Sequence, residues 1–222
     1  MKTADKTMAT SHPAKARRAD FEAGRLRFLD AADQVYMEHG YAGATIRAIS
    51  DQAGTSLARL NRHWSGKRHL FEDVFGRHFD AIHAMQAKGL DQVEQSGIAG
   101  GELVGAVVQV FFAPAYAAFG QAEEPARRVY CRAMVDTAPE ARAIVEALVS
   151  PMRDRLVALL RRALPALGEQ DLFMVLSAIS GAYVYPQLFG QGLADSMGLD
   201  FAALDWGAGA AQLGALFQKG VG

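Results

Sequence analysis

Gly40-Tyr41-Ala42-Gly43-Ala44-Thr45-Ile46-Arg47-Ala48-Ile49-Ser50-Asp51-Gln52-Ala53-Gly54-Thr55, followed by Ser56-Leu57-Ala58-Arg59-Leu60-Asn61-Arg62-His63-Trp64-Ser65-Gly66-Lys67, decides how this chain folds. Segments 46–53 and 57–64 carry helical periodicity but are too short to be stable alone, so packing must hold them. Ile46, Ile49 and Ala53 fall on one face of the first, and Leu57, Leu60 and Trp64 repeat that spacing on the second. Gly54 supplies the turn between them, and Ser50 is small enough for close helix approach. Two short helices folded across such a turn make a helix-turn-helix. Thr45 stands where an N-cap is needed, and Lys67 falls in the first turn of the next helix.

Packing on those apolar faces leaves Thr55, Ser56, Ala58, Arg59, Asn61 and Arg62 facing outward. Such a face suits a DNA major groove, where Arg pairs with guanine and Asn with adenine. The helix N-terminus at Thr45 can meet a phosphate. Arg47, His63 and Lys67 complete the candidate DNA-contacting set. A polar face on a short helix also suits a merely solvated surface, so spacing alone leaves both readings open.

Working outward, no strand-like alternation appears, and helical periodicity broken by Gly and Pro predicts an all-α chain. A first helix is expected over 18–39, stopped by Gly40, and a longer one over 67–93. Further helices are expected over 102–119, 125–137, 140–164, 169–191 and 201–219, with Pro114 and Pro151 kinking or interrupting two of them. The expected domains are a loose arm over 1–17, a three-helix reading head over 18–78, and a helical body over 79–222.

Half of the residues are apolar and 21% are charged, which describes a globular chain. Net charge is −1, yet residues 1–89 carry +4 and residues 90–222 carry −5. A cationic head on an anionic body favours a polyanion at the head. The stretches 103–120 and 172–194 lack Asp, Glu, Lys and Arg, but Gln109, Pro114, Pro186 and several Gly interrupt them. They are read as core or seam helices rather than membrane spans. The N-terminal residues hold no apolar run, so no secretory signal is expected, and one cysteine, Cys131, fits a reducing, cytoplasmic setting.

From Phe28 to His78 the chain resembles the DNA-binding domain of TetR-type regulators. The resemblance rests on Leu29-Asp30-Ala31-Ala32, His39-Gly40-Tyr41, Thr45-Ile46-Arg47-Ala48-Ile49, Ala53-Gly54-Thr55-Ser56 and Leu60 with His63-Trp64, Lys67 and Leu70. It implies that the second short helix enters the groove and that Thr45 and Lys67 hold the phosphate backbone. It also implies that the C-terminal helices form an effector pocket and a homodimer seam. Four positions depart from the family pattern: Ala58-Arg59 replaces Gly-Thr, Asn61 replaces Tyr, and Trp64 replaces Phe. Trp64 is expected to be neutral for packing, whereas Arg59 places a long cation on the reading face.

In the body, Phe79, Met85, Phe111, Phe112, Tyr116, Phe119, Tyr130, Met134 and Phe173 are the candidate ligand-contacting residues, because they exceed what a minimal core needs. Small residues crowd the last two helices, from Ala178-Gly181-Ala182 to Gly207, Gly209 and Gly214, and allow close helix approach. The expected function is a homodimeric, ligand-responsive regulator, a repressor of a palindromic DNA operator, released by a small and largely apolar effector. A helical ligand-binding or adaptor protein without specific DNA binding is the alternative. No phosphate-binding Gly loop, metal-ligand spacing or nucleophile elbow appears, so neither an enzyme, a cofactor nor a metal is expected.

Overall fold

The computed structural model describes residues 12–117 and 125–220, all-helical with short connections and no strand among them. The chain divides into two compact units, Met1–Val74 and Phe75–Gly222.

The first unit contains α1 (His12–Gly43), α2 (Ile46–Gln52), α3 (Leu57–Leu60) and the start of α4 (Lys67–Gln95). α1 begins before the expected Arg18, so residues 12–17 of the expected arm are helical, and residues 1–11 lie outside the described part. Gly40 breaks α1 with φ 67°, a left-handed backbone that L side chains avoid. Phe28, Leu29, Ala32 and Tyr36 of α1 are almost fully buried, as are Ile49, Leu60, Trp64, Leu70 and Phe71, and Phe28 meets Trp64 edge-on with ring centroids 6.0 Å apart. Phe71 receives Tyr36 and Tyr41 edge-on, with ring centroids 5.6 and 4.9 Å away.

The second unit takes the rest of α4 with α5 (Gly100–Ala117), α6 (Pro125–Val135), α7 (Pro139–Ala163), α8 (Glu169–Ser196), a 3₁₀ turn at Phe201–Ala203 and α9 (Trp206–Gly220). α9 lies along α5 so closely that a Cβ on Gly214 would stand 2.6 Å from the Gly105 carbonyl oxygen. Glycine is therefore required there by packing within one chain. Gln86 fastens α4 to α5, its Nε2 donating to the Phe111 carbonyl at 2.9 Å. Arg155 of α7 donates to Asp91, Glu94 and the Ala87 carbonyl of α4.

Pro114 and Pro151 sit inside α5 and α7, which run on through them, so of the two expected effects interruption does not occur. α8 bends sharply at Pro186, where its two halves diverge by 76°. Among the described residues no single helix is long and apolar enough to cross a membrane, and the halves of α8 pass that test only together.

Candidate nucleic-acid interface and effector cavity

Thr45 is extended at φ −97°, ψ 149°, and its side chain accepts a hydrogen bond from the Ala48 amide at 3.1 Å, so it caps α2 as expected. Gly54, at φ 63°, makes the turn. Ser56 caps α3, its Oγ accepting from the Arg59 amide at 3.4 Å. α3 is only four residues long, shorter than the expected 57–64, because Asn61 closes it and residues 61–63 form turns. Leu57 is corrected too: it is 47% exposed, and Leu60 and Trp64 alone carry the buried face of this segment.

Of the ten DNA-contact candidates, Arg47, Ser56, Ala58, Arg59, Asn61 and Arg62 are exposed, as is the cap Thr45. Thr55, His63 and Lys67 are half-buried. Lys67 lies over the Tyr41 ring at 4.4 Å and donates to the Ala42 carbonyl at 3.4 Å. Arg59 faces Asp20 of α1 at 3.6 Å. His63 stacks on Phe21, ring centroids 4.1 Å apart, and burial with nearby Arg25 and Arg59 pushes its pKa down.

Trp64 is not neutral in kind. Its Nε1–H donates to Asp73 Oδ2 at 2.6 Å, a bond that phenylalanine cannot make. Arg25 donates to the same oxygen at 2.7 Å. Burial pushes the Asp73 carboxyl up, but the Trp64 and Arg25 hydrogen bonds outweigh it and hold it below its ordinary value. Asp20, Phe21, Arg25 and Asp73 gave no motif signal; Phe21, an aromatic in a basic stretch, was the one available hint.

In the second unit, Phe111, Tyr130, Met134 and Phe173 line a cavity of about 320 Å³. Val149, Met152 and Leu156 of α7 and Leu176, Ser177, Ser180, Tyr183 and Val184 of α8 complete most of its wall, with His83 and Arg153 at polar points. Burial raises Tyr130 to about 12 and Tyr183 well above its ordinary value, and lowers His83, so these groups are neutral near pH 7. Arg153 is engaged by Glu146 at 2.6 Å. The other candidates lie elsewhere. Phe79 and Phe112 are fully buried core, Tyr116 pairs with Phe112 and Trp206, and Met85 is 52% exposed. Phe119 lies outside the described residues.

A capped helix-turn-helix with an exposed cationic face, on a helical chain that also carries an apolar cavity open on one side, has the architecture of a one-chain regulator. The chain belongs to the tetR family of bacterial regulatory proteins, whose N-terminal model matches residues 28–74. A second model, described as a tetracyclin repressor-like C-terminal domain, matches residues 109–217. The family is one of transcription regulators, not enzymes. The chain is 32% identical over 88 residues to the transcriptional activator FasR of Mycolicibacterium smegmatis, a match covering 40% of this chain and 38% of that protein. It is 38% identical over 47 residues to the transcriptional repressor AcnR of Corynebacterium diphtheriae, covering 21% of this chain and 25% of that protein. The matches therefore span well under half the length of these curated relatives.

Among solved structures, FadR of Bacillus subtilis in complex with stearoyl-CoA superposes with a TM-score of 0.61 at 14% identity, covering 89% of this chain and 99% of that one. The ketosteroid regulator KstR2 of Mycobacterium tuberculosis gives 0.57 at 18% identity, covering 89% and 94%. At these identities the likeness is one of fold.

Proposed function

We propose that this protein is a cytoplasmic, homodimeric transcriptional repressor that binds a palindromic operator through residues 45–64 and is released by a small, largely apolar effector. The observation that carries the reading is the helix-turn-helix of residues 45–64, which turns Arg47, Arg59 and Arg62 outward from a buried scaffold. In this reading Arg59 and Asn61 read base edges, Thr55, Ser56, Ala58 and His63 support or border that contact, and Thr45 and Lys67 position the backbone. A two-fold dimer sets two such helices about 34–36 Å apart, one turn of DNA.

The dimer reading is supported by apolar surface on the C-terminal helices. Met174, Tyr185, Phe189 and Leu193 of α8, Met197 just after it and Leu216 of α9 are each more than 40% exposed, a concentration unusual for a lone chain. The effector reading is supported by the cavity, whose polar points are neutral or already paired, so an uncharged or weakly polar ligand fits it best. FadR of Bacillus subtilis, which shares this fold, was solved in complex with stearoyl-CoA, a ligand with a long apolar acyl chain. Coupling of about 1–3 kcal/mol between effector and DNA changes operator affinity 5–150-fold. In this reading α4, which starts at Lys67, transmits it.

FasR is named an activator and AcnR a repressor, so the sign of regulation is set by experiment. Fluorescence anisotropy on the DNA upstream of the chain's own gene, across a salt series, tests the reading. Binding that falls steeply with salt and exceeds binding to random DNA is expected. Salt-independent or absent binding favours the adaptor alternative. Derepression of that promoter on deleting the gene marks a repressor, and loss of expression marks an activator.

A further inference from the structure

Beside α3 the first unit holds a second feature, a cleft of about 190 Å³ between the N-terminal half of α1 and the reading segment. Arg17 and Arg27 line it from α1, and Arg59 and Arg62 line it from α3 and the turn after it. Asp20 is the sole carboxylate among the described residues of its wall. The Phe21–His63 stack, 4.1 Å between centroids, clasps the two walls. Four exposed guanidinium groups around one small concavity give it a positive field that favours an anion. Guanidinium groups suit phosphate because their N–H pairs match its oxygens. Asp20 holds Arg59 at 3.6 Å with both side chains at least half exposed, a pairing weak enough for DNA to break, which releases Arg59 toward the base edges.

We propose that this cleft seats a DNA backbone phosphate beside the bases that α3 reads, making the N-terminal half of α1 a second DNA-contacting element. The inference rests on the DNA-binding reading above and adds Arg17 and Arg27 to it, with Asp20 as the residue that parks Arg59 in the absence of DNA.

The test is anisotropy on a random-sequence duplex across a salt series, with wild type, the Arg17→Ala/Arg27→Ala double variant and Asp20→Asn. Random DNA reports phosphate contacts without base readout. The double variant is expected to bind on the order of 10-fold more weakly and to lose about 0.9 of salt slope per phosphate contact removed. Asp20→Asn is expected to bind more tightly, a gain that misfolding does not produce. If wild type shows no salt-dependent binding, the DNA-binding reading falls. If wild type binds and the double variant matches it in affinity and slope, the cleft assignment alone is overturned. Weaker binding by a helical, monodisperse Asp20→Asn also overturns it. So does calorimetric binding of inorganic pyrophosphate that depends on Arg17 and Arg27 while DNA affinity does not, because the site is then one for a free anion.

Discussion

Trp64 and Asp73 are joined by a 2.6 Å hydrogen bond in which the indole N–H donates to a carboxylate oxygen that Arg25 also engages. One oxygen thereby ties α1, the end of the reading segment and the first turns of α4. Trp64→Phe keeps the ring but deletes the donor. Since the site is only part-buried, a loss of about 1–2 kcal/mol in urea unfolding is expected. A loss near zero shows the bond to be replaceable by water.

The same carboxylate sets an acid limit. Its pKa is lower folded than unfolded, so it stabilises the fold above the ordinary carboxylate value of about 3.9 and ceases to do so as pH falls through its depressed value. Thermal melts between pH 3 and pH 7 are expected to show a steeper acid loss for wild type than for Asp73→Asn. Parallel curves dispose of the linkage.

Arg59 carries the sharpest expectation about sequence reading. Its exposed pairing with Asp20 contributes little stability, so Arg59→Ala is expected to melt like wild type. On the operator it is expected to lose about 1–3 kcal/mol while random DNA loses less. Equal losses on both assign Arg59 to backbone contact instead.

Ser180 lies on the cavity wall, on α8. Ser180→Phe is expected to fill that space, suppressing the fluorescence rise of the neutral apolar dye Nile red while leaving operator affinity intact. A dye response equal to wild type places the dye elsewhere.

Phe189 is 58% exposed on α8. Phe189→Asp is expected to convert a dimer to a monomer by light scattering at micromolar concentration and to weaken operator binding. A wild-type monomer under the same conditions removes the dimer from the reading.

Much of the fold was legible because local rules govern it. The Thr45 cap, the Gly54 turn and burial at Ile49, Leu60 and Trp64 follow from spacing and backbone preference alone. Illegible were contacts made between distant segments. Nothing adjacent to Trp64 announces a carboxylate nine residues on, and Phe21 meets His63 only once α1 packs beside the reading segment. Leu57 fits the apolar period, yet α3 ends before a second turn can bury it. The cavity divided the aromatic candidates for the same reason. Helix-on-helix packing put Phe79 and Phe112 in the core and brought Ser177, Ser180 and Tyr183 to the wall.

The crossing of α5 and α9 bears on how this chain can change over generations. Gly214 and Gly105 meet with no room for one added carbon, whereas Val149, Leu176 and Ser180 border empty space. Mutational drift is filtered unequally by these two neighbourhoods. Cavity-wall substitutions can survive to be sampled for new effectors, while most replacements at the glycine crossing are purged by instability before ligand preference is exposed to selection. A library built to retarget the regulator should therefore randomise α7 and α8 and leave Gly105 and Gly214 fixed.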